Sequence, residues 1–453
     1  MCELLIRGTI VTPDGPIENA WLAIEDGKIA AVGSGPAPAA AEVFDAGSAL
    51  VMPGIIDGQT HAGSYGGLEG LRSTTRSAVA GGVTTIVDMP YDNPVPLNDK
   101  ATLEAKIDAI GQHAHANVAL YGTIMPDQTT EDLKVLIEGG VCAFKISAFE
   151  SSPTRFPRIP ADRMLDIFEA LAPTQLPLGI HNEDQEIVRA RIARAKAEGR
   201  DGIAAHSDSR PPAAELSSTA HFLELGAATS AHAHIVHLSL ARGFQLVDTY
   251  LQAGYRATGE LCVHYLWFDP STHGAELGAR MKVNPPVRPG EIERLWQEVV
   301  SGRVAFVSSD HSSWPIDNKF TPSIFEAGAG VPGLETLLPA FFTGAAARGL
   351  DAVALTAQQL CENPARFFGL WPRKGALIAG ADADIAIVAR QAHIWNAQFA
   401  HDGLNWSPFD GREFGIKVAR TYVNGKLAYD GAKVCNAPGD GRYLPRGDHH
   451  WFA

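Results

Sequence analysis

The chain has 453 residues, of which 45% are hydrophobic and 19% charged, and its net charge is −14. This length and hydrophobic share argue against a lone small domain and against intrinsic disorder, and leave room for one α/β barrel plus an accessory domain. The diffuse acidic balance disfavours nucleic acid and anionic membrane surfaces as partners.

The first 52 residues read as short strands. LLIRGTIV and AWLAIEDGKIAAVG are β-like, with turn signals at Pro13-Asp14-Gly15 and Asp26-Gly27. The alanine-rich PAPAAAE at 36–42 reads as a surface loop. From Pro53 to Gly375, apolar β-like runs alternate with helical stretches. GGVTTIVDMP is followed by NDKATLEAKIDAIGQHA and then by ANVALYGTIMP. This alternation predicts βα units and a parallel sheet. Over 376–453 the β character returns, in ADADIAIVA and VARTYVNGKLAYDGAKV, with a hairpin signal at Asn424-Gly425. Two β-rich ends flanking one α/β body predict a single small β domain built from both termini. Cys2, Cys142, Cys262, Cys361 and Cys435 never form a C-x-x-C pair. That pattern fits reduced thiols in the cytoplasm. Neither a signal-peptide pattern nor an uninterrupted apolar 18-mer is present in the sequence.

Several apolar runs of the α/β body end in a chemically capable side chain. VMPGIIDGQTH ends with Asp57 and His61, GVCAFK with Lys145, LPLGIH with His181, HAHIVH with His237 and VAFVSSD with Asp310. Parallel barrel strands bring such C-terminal ends to one face. Histidines and carboxylates suit a divalent metal. Lysine is the odd member, because an ammonium cannot ligate a cation. A lysine ending a buried strand is either paired with an acid or converted to an anion, as carbamylation by CO₂ would do. Taken singly, each residue has a structural reading. His181 suits a strand end, and Asp310 a helix N-cap. His232 and His234 suit a loop and a strand start, and His113, His115, His206, His221, His273, His449 and His450 read as surface or linker residues. The ordered set carries more weight than its members.

At these residues the chain resembles the cyclic amidohydrolases, the group of hydantoinases, dihydropyrimidinases, allantoinases and dihydroorotases. The resemblance runs nearly end to end, through VMPGIIDGQTH, GGVTTIVDMP, FKIS, IHNED, IVHLS, MKVNPPVRP, SSDHS, GVPGLETLLP, NPARFFGL, KGALIAGADADIAIV and NWSPFDG. It implies a TIM-type (β/α)8 barrel over 53–375. The small β-sandwich would come from 1–52 and 376–453. It further implies one or two divalent ions, usually zinc, and a homodimer or homotetramer. Lys145 would be N-carboxylated and bridging. His181 and His237 would hold the more exposed ion, and His61 and Asp310 the more buried one. Asn284 and Gly330 would read the substrate amide. Apart from the resemblance, Phe149, Tyr65 and the loop Trp314–Phe325 read as pocket walls at the barrel mouth.

Two departures bear on substrate and one on metal. The family pattern Asp-x-His-x-His has Gln59 where its first histidine stands, and an amide oxygen is a weak neutral ligand. One tight ion, or two of unequal affinity, is the expectation. Dihydroorotases carry an arginine where this chain has Gly63, which disfavours dihydroorotate. Hydantoinases often carry a tyrosine shortly after the bridging lysine, and Ser147-Ala148-Phe149-Glu150 has none. The resemblance implies hydrolysis of a cyclic amide or imide by metal-activated water, with Asp310 as general base and then acid. The alternatives are deamination or hydrolysis of another heterocycle on the same fold, or a non-catalytic relative with a degraded site.

Overall fold

The computed structural model describes residues 2–452. Eight strands hydrogen-bond in parallel, in the order Ala257–Gly259, Ala233–Ile235, Leu178–His181, Ala143–Ser147, Asn117–Gly122, Val83–Asp88, Ile55–His61 and His311–Ser312. Leu261–Cys262, just after the first strand of this order, pairs in parallel with Val307–Ser308, just before the last, and so joins its two ends. The sheet therefore closes into the expected (β/α)8 barrel. Val83–Asp88, Asn117–Gly122 and Ala143–Ser147 are buried at every position. Strands covered on both faces have to read as such continuous apolar runs.

Helices begin where the sequence supplies caps. Asp99 accepts from the Thr102 backbone N–H at 2.8 Å, and the Thr102 hydroxyl accepts from the Asp99 N–H at 3.1 Å. This reciprocal cap starts the helix Lys100–His113. Asp184 caps Gln185–Ala197 through the Ile187 N–H at 2.9 Å, so that helix starts just after His181 leaves its strand.

Both chain ends build one seven-stranded sheet around its own small core. Its order is Lys426–Tyr429, Lys417–Val423, Ile385–Ala389, Ala40–Pro53, Cys2–Thr12, Gly15–Glu25 and Lys28–Ser34. The Asn424-Gly425 hairpin forms as its sequence signals, with both residues at positive φ. The alanine-rich stretch is a loop only as far as Ala39, because the next strand begins at Ala40. The tail beyond this sheet turns to the barrel. Tyr443 donates to Gly139 O at 2.8 Å, Arg446 donates to Cys142 O at 2.8 Å, and Trp451 packs near Phe367. His115 and His206, read from sequence as surface or linker residues, are buried. Each finds a partner there, Asn436 Oδ1 at 3.0 Å and Val283 O at 3.0 Å.

One buried cation organises the mouth of the barrel. The Lys106 Nζ lies 2.7 Å from Asp88 and 2.8 Å from Asp92, all three deeply buried. Burial alone would lower the lysine's pKa, and the two carboxylates outweigh it and raise it. Asp88 also accepts from the Ala62 N–H at 2.7 Å, which ties the segment after His61 to the second strand. Replacing Lys106 with Met leaves two carboxylates buried without a counter-charge. The expected cost is about 3–5 kcal/mol, to be read as a lower midpoint in urea unfolding followed by circular dichroism.

Candidate active site

The strand-end residues converge at one mouth of the barrel, on a cleft of about 420 Å³. That volume suits a small ring rather than a polymer. Gln59, His61, Lys145, His181, His237, Asn284, Asp310, Phe149 and Gly330 all line it. His61 and His181 end their strands. Lys145 sits two residues before its strand ends, and His237 lies two residues after Ile235. Asp310 lies between Val307–Ser308 and His311–Ser312 rather than at a helix N-cap. His237 and Asp310 hold φ at 42° and 48°, a region that residues other than glycine seldom occupy. Such strain persists where the surrounding structure enforces it, most often at functional sites.

Asp57 does not reach the cleft. It accepts from the Ser309 N–H at 2.8 Å, the Thr60 hydroxyl at 2.7 Å and the Ser309 hydroxyl. Burial pushes its carboxyl up to about 6 despite those donors. The sequence reading of Asp57 as a candidate ligand is thus corrected. It braces the residue before Asp310.

Two sets of chemically capable groups flank Lys145. On one side Asp310 Oδ1 receives Gln59 Nε2 at 2.9 Å and lies 3.2 Å from His61 Nε2. On the other, His181 Nδ1 and His237 Nε2 are 3.0 Å apart. Burial lowers the pKa of both of these histidines, which keeps them in the neutral form that ligates metals. The second nitrogen of His181 lies 2.9 Å from Glu183, which Arg210 also contacts. Such a carboxylate behind a histidine fixes the ring's tautomer and orientation. Lys145 is 1% exposed, and no acid lies within ion-pairing distance of its Nζ among the described residues. Burial lowers its pKa, against the charges of Asp310 and Glu260. The acid-paired reading of this lysine therefore has no partner in the fold.

Among the described residues, no three His, Cys, Asp or Glu side chains group as a metal site. The remaining donors of this set are an amide and an amine. The donor chemistry nevertheless fits a cation on the Lys145 side. Two imidazole nitrogens point at one another, His237 Nδ1 is buried without a partner, and the lysine becomes an anionic oxygen ligand once carboxylated.

The walls hold both expected and unexpected residues. Tyr65, Trp314 and Phe325 line the cleft with Phe149. Asn284 presents a buried Oδ1 with no partner. Gly330 has φ +115°, and a Cβ there would meet Ser312 Oγ at 2.5 Å, so only glycine fits. Its N–H is spent on Lys282 O at 3.0 Å. Glu183, Arg210, Glu260 and Tyr91 went unassigned in the sequence. Glu183 had a signal, in the acidic HNED run. Tyr91 comes from the end of the second strand, stacks on Phe156 at 3.8 Å and donates to Lys145 O at 3.2 Å. Arg210 and Glu260 carry no local pattern that marks them.

The amidohydrolase family model matches residues 50–266. An allantoinase from Rubrobacter xylanophilus is 36% identical over 450 residues, covering 98% of this chain and 97% of that protein. This chain belongs to the amidohydrolase family. An L-hydantoinase from Paenarthrobacter aurescens is 30% identical over 460 residues, with 98% of each chain covered. In structure, the amidohydrolase chain matches the L-hydantoinase (dihydropyrimidinase) from Arthrobacter aurescens with a TM-score of 0.93 at 29% identity. That match covers 98% of this chain and 100% of the other. A D-hydantoinase structure matches with a TM-score of 0.91 at 27% identity over 99% and 100%. Amidohydrolases of this kind are metal-dependent.

Glu183→Gln removes the charge behind His181 while keeping its shape. Metal affinity is expected to fall about 10–100-fold, measured by competition with a chelating dye, while circular dichroism stays unchanged.

Proposed function

We propose that this amidohydrolase opens a cyclic amide or imide of hydantoin, dihydropyrimidine or allantoin type by adding water across a ring C–N bond. The observation that carries this reading is the convergence of Asp310 and His61, Lys145, and His181 with His237 in one small cleft. Its support from outside the chain is the end-to-end similarity to an allantoinase and to hydantoinases.

The residues that would hold the metal are N-carboxylated Lys145, His181 and His237, which His61 and Asp310 face from the far side. When bound, zinc supplies Lewis-acid polarisation of the carbonyl and lowers the pKa of a water. Asp310 takes the proton from the attacking water and returns it to the leaving ring nitrogen. Its strained backbone and two donors hold it in a single orientation for that transfer. Asn284 offers its free Oδ1 to a ring N–H, and Gly330 offers its carbonyl, since its N–H is already engaged. Phe149, stacked under the Arg210 guanidinium at 4.8 Å, forms an apolar wall. The product is an open-chain N-carbamoyl or ureido acid.

Dihydroorotate stays disfavoured because Gly63 stands where dihydroorotases carry an arginine. A Cβ at position 63 would collide with the Asp92 carboxylate, which is held by Lys106. No arginine fits there. No helix among the described residues is long and apolar enough to cross a membrane. Five free cysteines, four of them buried, support the cytoplasmic reading, and a homodimer or homotetramer remains what the resemblance implies.

Asp310→Asn keeps the shape and removes the base. Hydrolysis of hydantoin, dihydrouracil and allantoin is assayed on wild type and variant with metal content measured in parallel. The wild type is expected to open at least one ring, and the variant to lose at least about a thousand-fold in kcat with its metal retained. Unchanged turnover in the variant overturns the assignment.

A further inference from the structure

Resting on that reading, we propose that the site holds a single divalent cation, on Lys145, His181 and His237. The Gln59 amide takes over the task of a second cation by hydrogen-bonding Asp310.

The two sides of the site differ in what they offer a metal. On the Lys145 side, two neutral imidazoles turn ring nitrogens toward each other at 3.0 Å. One of them is braced from behind by Glu183 at 2.9 Å. On the Asp310 side, the side chains are one carboxylate, one imidazole and one amide. The amide is completely buried, and its Nε2 donates to Asp310 Oδ1 at 2.9 Å. His61 Nε2 sits 3.2 Å from the same oxygen and Ser64 Oγ is 3.2 Å from its other nitrogen, so Gln59 and His61 both face the carboxylate. Gln59 Oε1 is buried without a hydrogen-bond partner, so this amide is held by its nitrogen alone. Turning the amide over would set its oxygen against Asp310 Oδ1, and two buried acceptors in contact are unfavourable.

Charge points the same way. Asp310 and a carboxylated Lys145 together carry two negative charges, which one divalent ion neutralises. A second divalent ion would bring two more positive charges, and only a neutral amide stands where a further strong ligand is needed. A hydrogen bond from Gln59 orients Asp310 without importing that charge. Gln59 is thus a positioning residue, acting through Asp310 on proton transfer.

The test is metal stoichiometry on the full-length protein, purified with zinc and bicarbonate and freed of loose ions by gel filtration. The wild type is expected to retain one zinc per chain by elemental analysis. Titration calorimetry of zinc into the metal-free protein is expected to show one binding event. Gln59→His, which restores a strong ligand, is expected to retain two. His61→Asn is expected to keep the single ion, and it reads the proposal even if Gln59→His fails to fold. Two ions per wild-type chain, or loss of the ion in His61→Asn, overturns the proposal. Two ions with ring-opening turnover would overturn the single-cation inference alone. Absence of both metal and turnover would overturn the hydrolase reading with it.

Discussion

The geometry of the site depends on a buried carboxylate that never touches it. Asp57, on the first barrel strand, binds both the N–H and the hydroxyl of Ser309 on the last. Those bonds close the barrel at its mouth and hold the backbone one residue before Asp310. With Ser309 anchored, and its hydroxyl also accepting from the His311 N–H at 3.0 Å, Asp310 is forced into its left-handed conformation. Its carboxylate then meets Gln59 and His61 from the same first strand. A base with so few orientations has little to reorganise during a reaction.

Two buried lysines show how context sets the role of one residue type. Lys106 sits between Asp88 and Asp92, and its charge is structural: it joins the mouths of neighbouring strands. Lys145 is just as deeply buried and has no acid beside it among the described residues. An ammonium in such a place is costly. The carboxylation proposed for it would exchange that ammonium for an anionic group able to hold a cation. The same buried mouth therefore contains one lysine paired with two acids and one with no acid in ion-pairing distance among the described residues.

Much of the fold was legible in sequence, for identifiable reasons. Continuous apolar runs such as VTTIVD and NVALYG are what a doubly covered parallel strand requires, and both became barrel strands. The Asn424-Gly425 turn needs two positive φ values, so its sequence was nearly diagnostic. The convergence of Lys145, His181, His237 and Asp310 followed from their places at or near strand ends. Where the reading failed, long-range packing decided. His206 reads as a surface or linker residue until Val283, far along the chain, meets it with its carbonyl. Asp57 looks like a ligand beside His61 until Ser309 claims both of its oxygens.

The sequence by itself determined the barrel, the small β domain shared by both ends, and the identity of the strand-end groups, because strand periodicity and residue chemistry are local properties. Only the tertiary structure decided what each group does there. It set Gln59 nitrogen-first against Asp310, left Lys145 without an acid, placed Glu183 and Arg210 behind His181, and filled the space at Gly63 with Asp92. Those outcomes depend on distances between residues up to about 250 positions apart in the chain. Burial and hydrogen-bond partners at that range arise only once the barrel has closed.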